Sequence, residues 1–296
     1  MKTGIFGNNY QPNQLSRIRR IFDHLAKLGA DIRVENDFYL YLSEELDYHP
    51  PKTGLISGSD FELDIAISIG GDGTFLKTAA LIGEKSIPIM GINTGRLGFL
   101  ADVSTAEIED ALDAVFKNNY RIEERSLLRL EIEENADTPL FALNEIVIQK
   151  RDTSSMITIE THINDEYLTT YSADGLIIAT PTGSTAYSMS VNGPIIIPQA
   201  KNIVLSPIAP HSLSVRPLVI PDDCQLNLTV NTRGRNFLAA LDGRSQVFSS
   251  GTNFLIKKAD FAMNVIKRYN HTFYKTLRDK LMWGANARAY EEEGNL

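Results

Sequence analysis

Ile65-Ala66-Ile67-Ser68-Ile69-Gly70-Gly71-Asp72-Gly73-Thr74-Phe75-Leu76-Lys77-Thr78-Ala79-Ala80 is the stretch on which the reading of this chain turns. Ile65 to Ile69 is a short apolar run closed by glycine, the pattern of a strand buried in a sheet covered on both faces. Phe75 to Ala80 is compatible with helix. Strand, tight turn and helix in that order belong to an open α/β sheet, whose ligands gather at the carboxyl ends of its strands.

Upstream and downstream the same alternation continues to about residue 120. Met1 to Gly7 reads as a short strand entering a turn, without the apolar core and cleavage site of a secretory signal. Leu15, Ile18, Ile21, Phe22, Leu25 and Leu28 recur at three- and four-residue spacing, which predicts a helix over 13–29 with one buried stripe. Ile87 to Ile92 reads as another buried strand. Ser104 and Glu107 form a capping box ahead of Ile108, Leu112, Val115 and Phe116.

From about 125 to 260 the period changes to two. Leu128, Leu130 and Ile132, then Ile157, Ile159 and Ile163, then Leu226, Leu228 and Val230 alternate with polar residues, as half-buried antiparallel strands do. Pro194, Pro198, Pro207, Pro210, Pro217 and Pro221 punctuate the later part, where they are expected to interrupt helices and end strands. Phe273, Leu277 and Leu281 then fall four apart in a closing helix that stops at Trp283-Gly284. The fold class expected is an α/β open-sheet domain over 1–120, followed by an all-β, sandwich-like domain over 121–268. A closing helix over 269–284 follows, and a polar tail, 285–296, is expected to be disordered.

Composition narrows the function. The chain has 296 residues, 43% of them hydrophobic, enough for roughly two domains with large cores. Its longest apolar runs fall far short of the roughly 18 residues that span a bilayer. A net charge of −8 argues against nucleic acid as a partner and offers no basic cluster for a membrane surface. The one cysteine, Cys224, excludes an internal disulfide and fits a reducing, cytoplasmic setting. His24, His49, His162, His211 and His271 lie apart without metal-ligand spacing, so no protein-borne metal site is expected.

The glycine turn carries the first chemistry. Gly70, Gly71 and Gly73 let the backbone turn sharply and let a phosphate reach its N–H groups, while the following helix presents its positive end. Asp72 is the carboxylate inside that turn, and phosphate repels it. It is there either to accept a proton from an attacking hydroxyl, to help hold a divalent metal, or to cap the helix. The residues alone leave these readings open, although the string Gly-Gly-Asp-Gly-Thr recurs by chance only on the order of once in 10⁶ windows. Neither the P-loop nor the Gly-x-Gly-x-x-Gly pattern occurs. A second turn, Asn93 to Leu100, follows the next strand and lies beside the first if the strands pair; its Arg96 serves either a phosphate or a surface salt bridge.

Further on, Asn144-Glu145 interrupts an apolar stretch and suits the paired hydroxyls of a ribose, or is simply a satisfied polar pair at a strand end. Ser172 to Ser190, continuing to Pro194, leads a short apolar strand into hydroxyls, small residues and one aromatic, Tyr187. That composition fits a nucleoside site, with small residues against a base and hydroxyls reading its ring nitrogens.

Gly70 to Thr74, Asn93 to Phe99, Asn144-Glu145 and the block from Asp174-Gly175 through Thr180-Pro181-Thr182-Gly183-Ser184-Thr185-Ala186-Tyr187 resemble, in order and spacing, the NAD kinase family. The Gly-Gly-Asp-Gly-Thr string is shared more widely with diacylglycerol and sphingosine kinases. The resemblance implies transfer of a phosphoryl group from ATP or another triphosphate to the 2′-hydroxyl of NAD's adenosine ribose, with magnesium accompanying the triphosphate. It implies Asp72 as the base and Gly70, Gly71, Thr74 and Arg96 toward phosphate, with Gly73 also at the substrate. Asn144 and Glu145 would contact the adenosine part, and Thr185, Ala186, Tyr187 and Ser190 would line the adenine pocket. Asp174 would lie near the nicotinamide end, and Asp242, in a common Asp-Gly turn, near the site. The resemblance also implies that the helix over 269–284 packs back on the first domain, and that the chain forms a homodimer or homotetramer. The competing readings are a lipid kinase and a non-catalytic NAD(H) sensor; Asp72 speaks against the sensor, because pure binding should not favour a carboxylate among phosphates.

Overall fold

The computed structural model describes residues 1–9, 14–51, 53–95, 97–132, 140–151 and 156–284. These form two compact units, one of Met1–Glu123 with the chain from Asn264 onward, the other Glu124–Met263.

The first unit begins β1 (Lys2–Gly7), α1 (Leu15–Lys27), β2 (Asp31–Glu35), α2 (Asn36–Leu40), β3 (Thr53–Ile56), β4 (Ile65–Gly70), α3 (Asp72–Ile82), β5 (Ile89–Asn93) and α4 (Ile108–Phe116). Its strands pair in parallel in the order β3-β2-β1-β4-β5. Order reverses between β1 and β4, and ligands of open α/β sheets bind at such a switch point. β4 and β5 are buried along their whole length, which accounts for the unbroken apolar runs. They pair in register Gly70↔Asn93, so the two turns read from the sequence start side by side. α1 buries Ile18, Ile21, Phe22 and Leu25, and both bonds of the Ser104–Glu107 capping box form ahead of α4.

The second unit holds β6 (Arg121–Ile132), β7 (Leu140–Ala142), β8 (Glu145–Lys150), β9 (Ile157–Ile163), β10 (Glu166–Ala173), β11 (Gly175–Ala179) and the single turn α5 (Tyr187–Ser190). β12 (Asn202–Ile208), β13 (Leu218–Pro221), β14 (Leu226–Thr232), β15 (Asn236–Leu241), β16 (Arg244–Ser249) and β17 (Thr252–Lys267) complete it. One sheet runs β10-β9-β14-β17 with β6 also on β17, the other β13-β12-β11-β8-β15-β16. Leu128, Leu130, Ile157, Ile159, Leu226, Leu228 and Val230 join Ile146, Ile148, Leu176, Ile178, Ile203 and Phe237 of the other sheet in one core, so the unit is a sandwich. One proline departs from the expectation: Pro207 lies inside β12 rather than at its end. β12 pairs with β13 only from Asn202 to Leu205, so Pro207 lies past that ladder, at an edge position of the kind proline tolerates.

β17 then passes from the second unit into the first, where Val265 pairs with Ile89. α6 (Phe273–Leu281) follows, its Thr272 hydroxyl accepting the Lys275 N–H. The helix ends one residue earlier than the glycine suggested: Met282 takes the left-handed conformation at φ 51°, with Gly284 following at φ 78°. The predicted tail, 285–296, lies outside the described residues. No helix among them is long and apolar enough to cross a membrane.

A buried ion cluster ties this returning segment to the first unit. Asp102 accepts from Lys267 Nζ at 2.6 Å and lies 3.1 Å from His271 Nδ1, with all three residues at most 7% exposed. Burial alone would raise the Asp102 pKa, but Lys267 and His271 outweigh it and bring it down to about 2. The stabilisation is therefore present above the ordinary carboxylate range and is lost as pH falls through about 2. Asp102→Asn strands the Lys267 charge; urea denaturation at pH 7 is expected to show a loss of ~3–5 kcal/mol. A loss below about 1 kcal/mol would show that the cluster contributes little.

Candidate active site

Gly70 ends β4 at φ 154°, and a Cβ there would lie 2.2 Å from Thr74 Oγ1, so the sharp exit requires glycine. Gly71 caps α3, its carbonyl accepting the Thr74 and Phe75 N–H groups. A Cβ on Gly71 or Gly73 would meet nothing within 4 Å, so the surface of the turn is open. Thr74 Oγ1, in a residue only 4% exposed, has no hydrogen-bond partner.

Asp72 does not cap its helix. Its carboxylate turns to the second loop: Oδ1 accepts the N–H groups of Leu100 at 3.0 Å and Ala101 at 2.9 Å, and Oδ2 that of Phe99 at 2.9 Å. Gly98 permits this approach, since a Cβ there would sit 2.0 Å from Oδ1. The fourth donor is Lys280 of α6, whose Nζ lies 3.2 Å from Oδ2 and 4.6 Å over the Phe99 ring. The sequence reading missed Lys280. The available signal was its place seven residues after Phe273 and three after Leu277, on the same face of α6 as those two. In the second turn Asn93 Oδ1 accepts the Gly95 N–H at 2.7 Å, and Arg17 donates to the Thr94 carbonyl. Arg96 lies outside the described residues.

In the second unit another carboxylate gathers consecutive amides. Asp242 and Gly243, both at positive φ, make the two-residue turn between β15 and β16. From there Asp242 Oδ2 accepts the Leu143 N–H at 2.7 Å, and Oδ1 those of Asn144 at 2.8 Å and Glu145 at 3.1 Å. Both oxygens are thus engaged with backbone. Asn144 Oδ1 and Glu145 Oε2 are buried without a hydrogen-bond partner, although their residues are only 7% and 9% exposed. Unpartnered buried polar atoms are costly, and a ligand group or an ordered water would satisfy them. Burial, reinforced by the nearby Asp242 charge and offset by the Tyr187 N–H, pushes the Glu145 carboxyl up to about 8. Burial also raises Asp242, against its three N–H bonds.

The block after β11 packs onto the same residues. The Thr180 N–H donates to the Asn144 carbonyl at 2.9 Å and its hydroxyl to the Leu143 carbonyl at 2.6 Å. Gly183 is pressed on Asn144, where a Cβ would lie 2.1 Å from its carbonyl oxygen. Several hydroxyls of this block also hydrogen-bond within the protein. Ser184 bonds the Pro181 carbonyl, Ser188 bonds Ser206, and Ser190 bonds the Tyr187 carbonyl, at 2.7, 2.9 and 2.7 Å. They build the turn. Thr185 makes only a long 3.4 Å contact to Thr182, and Tyr187 is 40% exposed. Asp174, at the start of β11, is ion-paired to Lys150 at 2.7 Å.

An open glycine turn with a helix terminus beneath it and a carboxylate at its lip suits transfer of a phosphoryl group to a hydroxyl, the work of a phosphotransferase. Comparison with known proteins specifies which. The ATP-NAD kinase N-terminal domain matches residues 3–120 and the ATP-NAD kinase C-terminal domain residues 143–268. The NAD kinase of Bacteroides fragilis is 53% identical over 289 residues, covering 97% of this chain and all of that protein. That of Porphyromonas gingivalis is 46% identical over 97% of this chain and 99% of its own. Among solved structures, yeast NADH kinase complexed with NADH aligns at TM-score 0.88 and 22% identity, covering 97% of this chain and 89% of its own, a likeness of fold. An NAD kinase from Archaeoglobus fulgidus in complex with ATP aligns at TM-score 0.72 and 25% identity, over 96% of this chain and 98% of its own. The chain belongs to the NAD kinase family, and its reaction is the phosphorylation of NAD.

The raised Glu145 carboxyl has a consequence for stability. Its pKa is about 8 folded against about 4.3 unfolded, so the folded state holds the extra proton between those values. Stability therefore falls as pH rises through that window. Glu145→Gln removes the fall: the melting-temperature advantage of the variant should widen from pH 5 to pH 8. A difference that stays constant across that range would contradict the shift.

Proposed function

We propose that the chain makes NADP by moving the terminal phosphoryl group of ATP to the 2′-hydroxyl of NAD's adenosine ribose, with Asp72 as the base. The observation that carries this reading is the Asp72 carboxylate at the mouth of an open glycine turn on the N-terminus of α3. As the ribose oxygen attacks, the new O–P bond forms while the bond to ADP breaks. ADP leaves with that bond's electron pair, and the hydroxyl proton passes to Asp72. Gly70, Gly71, Gly73, Thr74 and Arg96 serve the phosphates, the last from the resemblance alone. Magnesium comes in on the triphosphate as part of the substrate.

The first unit is the phosphate-handling domain and the second the NAD-binding domain in this account. Asn144 and protonated Glu145 meet the adenosine hydroxyls, for which one buried acceptor and one buried O–H are a suitable pair. Thr185, Ala186, Tyr187 and Ser190 line the adenine, and Asp174 lies toward the nicotinamide end. Asp242 serves the substrate indirectly, by holding the amides of Leu143 to Glu145 in place. The family resemblance supports a homodimer or homotetramer, and the single buried Cys224 supports a reducing, cytoplasmic setting.

The purified chain, given NAD, ATP and magnesium, is expected to release NADP and ADP in equal amounts, read by an NADP-specific coupled assay and by product mass. Tight NAD binding without product would favour a sensor instead, and phosphorylation of diacylglycerol offered in a parallel reaction would move the chain to the lipid kinases.

A further inference from the structure

We propose that Lys280 of α6 is a further catalytic residue, which neutralises Asp72 while the triphosphate is absent and moves onto the terminal phosphate oxygens when the glycine turn is filled. The inference rests on the phosphotransferase reading above and adds to it a cation beside Asp72.

The difficulty it resolves is electrostatic. A base must sit within reach of the hydroxyl that attacks the phosphate, yet a carboxylate there repels the triphosphate. A mobile positive charge beside both removes the conflict. Lys280 is placed for this: its Nζ is 3.2 Å from Asp72 Oδ2, and its side chain is still 31% exposed. Helix geometry fixes where it starts from. Phe273 packs 5.9 Å from Phe99, Thr276 and Leu277 are buried, and Lys280 follows on the same stripe with its ammonium 4.6 Å over the Phe99 ring.

Occupancy of the carboxylate points the same way. Three of the four donors on Asp72 are backbone amides of one loop, which cannot leave without undoing that loop. The fourth is the end of a flexible four-carbon chain. For Asp72 to receive a proton, one lone pair must come free, and Lys280 is the donor that can yield it. A partly exposed ion pair is weak enough to exchange, and an ammonium with three N–H groups donates to phosphate oxygens as readily as to a carboxylate. The faces of Gly71 and Gly73 are open, so a phosphate has room at the turn, and the buried Thr74 hydroxyl beneath Gly70 has no partner.

The test compares the unmodified chain with Lys280→Met and Lys280→Arg. Methionine keeps the apolar contact with Phe99 while deleting the charge. Steady-state rates are measured against magnesium-ATP at saturating NAD and against NAD at saturating magnesium-ATP. Melting temperature and calorimetric binding of a non-hydrolysable β,γ-imido ATP are recorded alongside. Lys280→Met is expected to lower kcat about a hundredfold and weaken the ATP analogue about tenfold, with the KM for NAD within about twofold of the unmodified chain. Lys280→Arg should recover part of the loss. Unchanged kcat and analogue affinity in Lys280→Met would overturn the proposal, and so would a rise in kcat, which would make Lys280 a brake on Asp72. Equal losses in both variants that track a fall in melting temperature would reduce Lys280 to a prop for α6. An unmodified chain that binds the analogue but forms no NADP removes the parent reading, and this assignment with it.

Discussion

The carboxylate of Asp72, receiving the amides of Phe99, Leu100 and Ala101, is the contact on which the first unit's site depends. Each of those bonds is charge-assisted, and together they bring the turn after β5 against the turn after β4. The next residue, Asp102, secures the other end of the same loop through Lys267 and His271. Both acids take their cations from the C-terminal segment: Lys280 for Asp72, Lys267 and His271 for Asp102. That segment is therefore part of the site's construction, and its distance in sequence from the glycine turn hides the fact.

The second unit repeats the device. Asp242 gathers the amides of Leu143, Asn144 and Glu145 as Asp72 gathers those of 99–101. The surroundings differ, and so does the outcome. Asp72 has a lysine beside it, whereas Asp242 has a buried glutamate, whose proton it helps to retain. In the proposed mechanism the first arrangement lets a carboxylate exchange its cation for a proton. The other leaves a neutral carboxylic acid, a hydrogen-bond donor at neutral pH, next to an unpartnered amide oxygen. The same local geometry thus suits proton acceptance in one unit and polar recognition in the other.

Much of this was legible in the chain because the deciding signals were local. The strand before Gly70, the capping box at Ser104 and the period-two runs of the sandwich each express a short-range rule, and each is found where it was read. Pro207 and Met282 depart from such rules because a strand edge and a helix end tolerate them. Long-range partnerships were not legible. Lys280 meets Asp72 across 208 residues, and Asp242 meets Asn144 across 98, and nothing in either neighbourhood names the other. The inward bonds of the hydroxyls after Pro181 were hidden for a related reason: composition marks a polar turn, whereas the partners of Ser184, Ser188 and Ser190 depend on how that turn folds.

The central claim is that Asp72 takes part in the chemistry beyond shaping its loop. Single-turnover rates of enzyme preloaded with NAD and magnesium-ATP, for the unmodified chain and Asp72→Asn, separate these roles. The account predicts a chemical step slower by about 10²–10⁴-fold, with both substrates bound within a few-fold of normal. An unchanged chemical step in Asp72→Asn, with substrates bound normally, would contradict it.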